Sequence, residues 1–233
     1  MARNLQLAAW LAVGTIAISI GGQQQATCAL TLAPSYQQAT VDIRPVAATE
    51  QYQDGLTAVA AGNLNQAMSN FDRAIKLDPR YFQAYIERGN VKTEVGDLAS
   101  AVADYTTAIT LNPQSVAAYY NRGTVLSKTG RHQLAIADYN TAIRLDPQYA
   151  QAYMNRGNEL DDLGDSAGAI SSYDRAIQIR PDYALAYLNR GIAHGRSGHR
   201  PQAIADLQLA AKLFKQTGQI DRYNRTLQII KSF

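Results

Sequence analysis

The chain repeats itself every 34 residues. A stretch beginning at Ala84 reads AYIERGN; it returns at Ala118 as AYYNRGT, at Ala152 as AYMNRGN and at Ala186 as AYLNRGI. Glycine keeps the same step at Gly55, Gly89, Gly123, Gly157 and Gly191, and again at Gly62, Gly96, Gly130, Gly164 and Gly198. Alanine does so at Ala67, Ala101, Ala135, Ala169 and Ala203, and at Ala74, Ala108, Ala142, Ala176 and Ala210. Proline recurs at Pro79, Pro113, Pro147 and Pro181. A fixed period over five copies demands a stack of like units, each burying apolar surface on its neighbours rather than around one centre.

Each period holds two apolar patterns of helical spacing. In residues 82–115, Ala84, Tyr85, Gly89 and Val95 share one face of a first helix, with the Arg88 stem beside them. Leu98, Ala101, Val102, Tyr105, Ala108, Ile109 and Leu111 share one face of a second. Gly96 stands where a left-handed residue ends the first helix, and Asp97 where an N-cap starts the second. Asn112-Pro113 stops the second, because proline lacks an N–H and keeps the preceding residue extended. The product is two antiparallel helices per unit. Gly89, Ala101 and Ala108 allow close approach, and Tyr85 and Tyr105 fill the space left. Arg88, Arg122 and Arg190 each precede an aspartate by sixteen residues (Asp104, Asp138, Asp206), which predicts an Arg–Asp pair between the helices of a unit. Arg156 meets Ser172 instead. Glu94, Lys128, Asp162 and Arg196 alternate in sign at the same step and predict a surface ladder of ion pairs.

These rows resemble the tetratricopeptide repeat family over five units. Tyr stands for the signature Trp, and Arg88, Arg122, Arg156 and Arg190 stand for its Leu. The last unit has Lys215 in place of the proline and Leu207 in place of the tyrosine. The resemblance implies an all-α fold, an α-α superhelix of five helix-turn-helix units at 48–81, 82–115, 116–149, 150–183 and 184–217. Residues 218–233 read as a capping helix, with Ile220, Tyr223, Leu227 and Ile230 toward the last unit and Arg222, Arg225 and Lys231 toward solvent.

Residues 7–20 form an uncharged, largely apolar run after Arg3. As a helix this run would rise about 21 Å, against a hydrocarbon core of about 30 Å. Residues 1–29 thus read as a signal peptide or an N-terminal membrane anchor, and the chain as exported (periplasm, thylakoid lumen or secreted) or anchored there. Cys28, the only cysteine, lacks the Leu that precedes a lipidated Cys, and it excludes an internal disulfide. Residues 30–47 read as a linker. Ile43-Arg44-Pro45 matches Ile179-Arg180-Pro181 four periods on and suggests the end of a degenerate half-repeat.

The net charge is +3, but residues 184–233 carry eight Lys/Arg and two Asp/Glu, so the basic character belongs to the C-terminal end. Basic residues do not interleave with aromatics, which argues against nucleic acid. His132, His194 and His199 suit neither a catalytic triad nor metal-ligand spacing, and the acids at Glu159, Asp161, Asp162 and Asp165 lack an EF-hand order. No cofactor, metal or enzymatic activity is expected.

Family resemblance places the first helices on a concave face that takes peptides. Tyr52, Ile86, Tyr120, Met154 and Leu188 form an apolar row there. Asn121, Asn155 and Asn189 form a polar row one residue on, with Asn90 and Asn158 a turn away. An amide offers donors and an acceptor to a peptide backbone. Asparagine ladders of this kind occur in superhelical repeats attached to some glycosyltransferases. The family's clamp on a C-terminal carboxylate is missing its positive charges, since Ile86, Gln151 and Asn155 stand there. The expected function is a protein-interaction scaffold, with assembly of an envelope or photosynthetic-membrane complex as one setting. Self-association through the ends is the alternative.

Overall fold

The structure, a computed structural model, describes residues 45–232. The expected leader, and all but the last residues of the expected linker, lie outside them. Eleven helices follow in order among the described residues. The five pairs are α1 (Val46–Ala60) with α2 (Leu64–Leu77), α3 (Phe82–Glu94) with α4 (Leu98–Leu111), α5 (Val116–Lys128) with α6 (His132–Leu145), α7 (Ala150–Asp162) with α8 (Ser166–Ile179), and α9 (Ala184–Arg196) with α10 (Arg200–Gln216). A last helix, α11 (Ile220–Lys231), follows them. None of the described helices is long and apolar enough to cross a membrane.

Two turn chemistries build this chain of hairpins. Within a unit, glycine ends the first helix in a left-handed conformation, as at Gly164 with φ +85°. The next residue then bonds back into the helix (Asp165 N–H to Leu160 C=O, 2.8 Å), and the Asp165 carboxylate caps α8 by accepting from Gly168 N–H at 2.9 Å. Between units, the residue before proline is extended, as at Asn112 (φ −138°, ψ 91°). Its side chain accepts from Gln114 N–H at 3.1 Å, which tightens the turn.

The small-residue rows are the contact lines of the stack. A Cβ added to Gly157 would stand 2.5 Å from the Tyr173 ring, and one added to Gly89 would stand 2.7 Å from Tyr105. Both rings are 1% exposed. Ala101, Ala108, Ala135, Ala142, Ala169 and Ala176 are all fully buried. Tyr85 instead stays half-buried and carries the Arg88 guanidinium, 5.4 Å from its ring centroid. Tyr119, Tyr153 and Tyr187 carry Arg122, Arg156 and Arg190 in the same way.

The Arg–Asp pairs form as expected. Arg88 reaches Asp104 at 2.6 Å, Arg122 reaches Asp138 at 2.8 Å and Arg190 reaches Asp206 at 2.6 Å. Arg88 and Arg190 also reach back to Asp72 and Asp174 of the preceding unit, at 2.6 Å each, so the same fork ties neighbours together. Arg156 bonds Ser172 Oγ at 3.1 Å and Asn140 Oδ1 at 2.9 Å and, among the described residues, meets no carboxylate. The expected surface ladder is not formed. Arg196 pairs with Asp161 rather than Asp162, and among the described residues Glu94, Lys128 and Asp162 make no ion pair.

The cap departs from the expected register. Its turn is the within-unit type: Gly218 has φ +70° and Gln219 N–H bonds Phe214 C=O at 2.9 Å, as His199 bonds His194. The 17-residue α10 therefore serves twice, as the second helix of unit five and as the platform for α11. Thr226 is the fully buried residue of α11, its hydroxyl donating to Arg222 C=O at 2.7 Å. Tyr223 packs on the Phe214 cluster, whereas Ile220 is 52% exposed, more than its expected place against the last unit implies.

Candidate functional site: the groove of the first helices

First helices of neighbouring units touch one another (α1 with α3, α3 with α5, α5 with α7, α7 with α9), and second helices do not approach in the same way. The first helices therefore line the inner side of the curve. Asn121, Asn155 and Asn189 occupy one row of it and are half-buried.

Each of these asparagines spends one N–H on the preceding unit. Asn121 Nδ2 donates to Asn90 Oδ1 at 2.9 Å, and Asn189 Nδ2 donates to Asn158 Oδ1 at 2.8 Å. Between them the receiving row holds Thr124 in place of asparagine, and Asn155 Nδ2 donates to the Tyr120 hydroxyl at 3.2 Å instead. Asn90 Oδ1 also accepts from Tyr105 Oη at 2.8 Å, and Asn158 Oδ1 from Tyr173 Oη at 2.9 Å. Both carbonyls of the receiving row are thus filled from inside. Asn90 and Asn158 hold the units together and hold the buried tyrosines in place. Among the described residues no donor reaches Oδ1 of Asn121, Asn155 or Asn189, so three amide carbonyls stay open along the groove.

The apolar row splits in the same way. Ile86 and Met154 are each 6% exposed and belong to the inter-unit cores, beneath the groove rather than on it. Tyr120 and Leu188 are half-buried and reach the surface. Two tyrosines absent from the sequence-derived set join them. The Tyr149 ring lies 4.8 Å from that of Tyr120 at 55°, and Tyr183 packs on the Met154 cluster. Tyr81, Tyr149 and Tyr183 each follow a repeat proline by two residues, which is the signal that marks them. Burial, then the neighbouring Tyr120, pushes the Tyr149 phenol up to about 12. Burial, then Tyr183, raises that of Tyr120. These phenols are neutral at ordinary pH, and their hydroxyls act as donors and acceptors beside flat apolar faces.

Away from the groove, the structure brings together His132, Glu159 and Asp162, with one ligand atom from each within 4.8 Å of the others. Sequence spacing hides this cluster because His132 lies 27 residues before Glu159, in a different unit.

Models described as tetratricopeptide repeat match residues 52–81 and 87–150, and one described as TPR repeat matches residues 157–198. Between them they take in more than half of the chain. The chain belongs to the tetratricopeptide repeat family. Solved structures of that fold agree. MamA protein is 25% identical over 74% of this chain and 94% of its own, with a TM-score of 0.67. MamA from Desulfovibrio magneticus RS-1 is 18% identical over 74% of this chain and 98% of its own, with a TM-score of 0.69. YrrB, a tetratricopeptide repeat protein with an unusual peptide-binding site, is 23% identical over 71% of this chain and 86% of its own, with a TM-score of 0.63. None of the curated proteins matches. Tetratricopeptide repeat proteins bind proteins or peptides as scaffolds and typically carry no catalysis, and this chain shares their architecture.

Proposed function

We propose that this tetratricopeptide repeat chain is a scaffold that binds a segment of a partner protein along the groove of its first helices. The observation that carries the reading is the row of open amide carbonyls on Asn121, Asn155 and Asn189 beside the tyrosines at 120, 149 and 183. Each asparagine is held at a set angle by the N–H it donates to the preceding unit. The open carbonyl and the second N–H then suit a peptide backbone, and the rings supply flat apolar contact for its side chains. Backbone bonding tolerates many ligand sequences, so selectivity falls to the aromatic surface. The test is selection of displayed peptides on the full chain, followed by titration of a selected peptide against Tyr149→Ser, the residue that Ser115 supplies in the same row. Weakened binding supports the groove; unchanged affinity removes it.

The setting belongs to the same proposal. Arg3 and the apolar run at residues 7–20 support export or anchoring, and with it a partner in an envelope or photosynthetic-membrane complex. Amino-terminal sequencing of the native protein tests it; a soluble cytosolic form retaining Met1 would sink the idea.

A second reading, association of copies through the ends, draws support from Val46 and Leu77, which are 73% and 46% exposed on the first unit. Sedimentation of the wild type against Val46→Asp with Leu77→Asp separates the two.

A further inference from the structure

Glu159 breaks its row. The matching residues Val91, Val125 and Ala193 are buried, Thr57 of the first unit is exposed, and Glu159 is buried at 3% exposure. His132 stands in a mixed row with Leu64, Leu98, Ser166 and Arg200. The two residues meet: His132 Nδ1 and Glu159 Oε2 are 2.8 Å apart, across the joint between units three and four. Ser127 Oγ donates to Glu159 Oε1 at 2.6 Å and fixes the carboxylate's angle.

Asp162 adds what a simple His–Glu pair does not require. It lies one turn beyond Glu159 on α7, is exposed, and brings a second carboxylate oxygen into the cluster. Two carboxylates converging beside a buried position repel each other unless a cation lies between them. Among the described residues no Lys or Arg forms an ion pair with either, since Arg196 is taken by Asp161. An imidazole nitrogen with two carboxylate oxygens is a donor set for zinc-like ions; calcium and magnesium prefer oxygen alone. Donor atoms on one zinc ion stand about 3.3 Å apart, given bonds of about 2.0–2.2 Å. The His132–Glu159 pair is already near that spacing, and rotation of the exposed Asp162 side chain brings in the third.

We propose that His132, Glu159 and Asp162 form a binding site for a divalent transition-metal ion of the zinc class, with water as the fourth ligand and Ser127 orienting the buried carboxylate. The ion bridges α6 of unit three and α7 of unit four. It fixes the joint between the two units.

The test uses the full chain freed of metal by chelator. Zinc is added in a calorimeter and in a melting experiment, and cobalt(II) is added as a visible-absorption probe of tetrahedral coordination. The expected result is one equivalent of zinc bound and a higher melting temperature. Asp162→Ala should weaken zinc binding at least about tenfold. The double variant His132→Leu with Glu159→Val installs the residues that unit two (Leu98) and unit three (Val125) carry at these positions; it should fold and melt cooperatively with no response to zinc. A wild type indifferent to zinc overturns the proposal. So does zinc binding that survives in the double variant, which would move the metal to the His194–His199 pair.

Discussion

Arg122 grips Asp138 through two parallel hydrogen bonds, Nε to Oδ2 and Nη2 to Oδ1, each 2.8 Å, whereas the equivalent Arg156 has only the Ser172 hydroxyl on that side. The electrostatics follow. Bonding to Asp138 raises the proton affinity of the Arg122 guanidinium, while burial lowers that of Arg156 with no carboxylate to offset it.

The two arginines should therefore differ in what their removal costs. Arg122→Met leaves Asp138 charged and 5% exposed without its partner, a loss of about 3–5 kcal/mol. Arg156→Met frees a hydroxyl that still donates to Gly168 C=O and an exposed Asn140, a loss of about 1 kcal/mol. Urea melts of the two variants check the order. Equal losses would show that the arginine stems, packed on Tyr119 and Tyr153, matter more than the charge.

Glycine does two different jobs, and alanine substitutions should separate them. In Gly157→Ala the new methyl meets a ring that is 1% exposed and cannot retreat, a cost of about 1–3 kcal/mol. In Gly164→Ala the methyl meets nothing within 4 Å, and the cost of about 1–2 kcal/mol comes from the left-handed backbone alone. A double-mutant cycle with Tyr173→Leu should give a coupling energy for Gly157 and none for Gly164. Coupling at Gly164 would contradict the assignment.

The features legible in the sequence are those that every unit must satisfy alone. Gly89 against Tyr105, Asp97 as a cap and Arg88 with Asp104 all lie within one unit, so their spacing is short and constant. The groove was less legible because its exposure is decided between units. Asn121 reaches Asn90 across 31 residues, and whether Ile86 ends beneath the surface or on it depends on how far the next unit slides over it. Ile220 was misplaced for a similar reason. Missing its proline, unit five runs on, and α11 joins by the within-unit turn, which shifts the face it presents. Glu159 is visible as an acid among Val91, Val125 and Ala193, but only the stack shows that it meets His132.

His194 carries a pH dependence whose sign is determined by its surroundings. It stands in the row of Leu126 and Leu160, and its Nδ1 is buried without a hydrogen-bond partner. Burial lowers its proton affinity first; Arg190 and His199 act the same way, and Asp206 and Asp174 oppose them. The unfolded chain therefore takes up the proton before the folded one as pH falls below the ordinary value of 6.5. This stability is present above that value and is lost as pH drops through it. His194→Leu should flatten the loss between about pH 7.5 and about pH 5.5, read as the urea midpoint. An unchanged slope would assign the acid sensitivity elsewhere.

The groove proposal makes Asn155 and Asn90 behave in opposite ways. Asn155 donates to the Tyr120 hydroxyl and its carbonyl lies along the groove, so Asn155→Ala should cost about 0.5–1.5 kcal/mol of affinity for a selected peptide, up to about tenfold in Kd. Asn90 faces inward. Asn90→Ala removes the acceptor of the Asn121 amide and leaves the Tyr105 hydroxyl with Thr93 Oγ1 alone, at 3.2 Å, so it should cost stability by about 1–2 kcal/mol. Measured below its melting temperature, it should bind the same peptide nearly as the wild type does. Isothermal titration and urea melts on both variants give four numbers. The reverse pattern, affinity lost at Asn90 and stability lost at Asn155, would mean that the peptide does not read the outer row, and the binding surface would have to be sought at the ends of the stack.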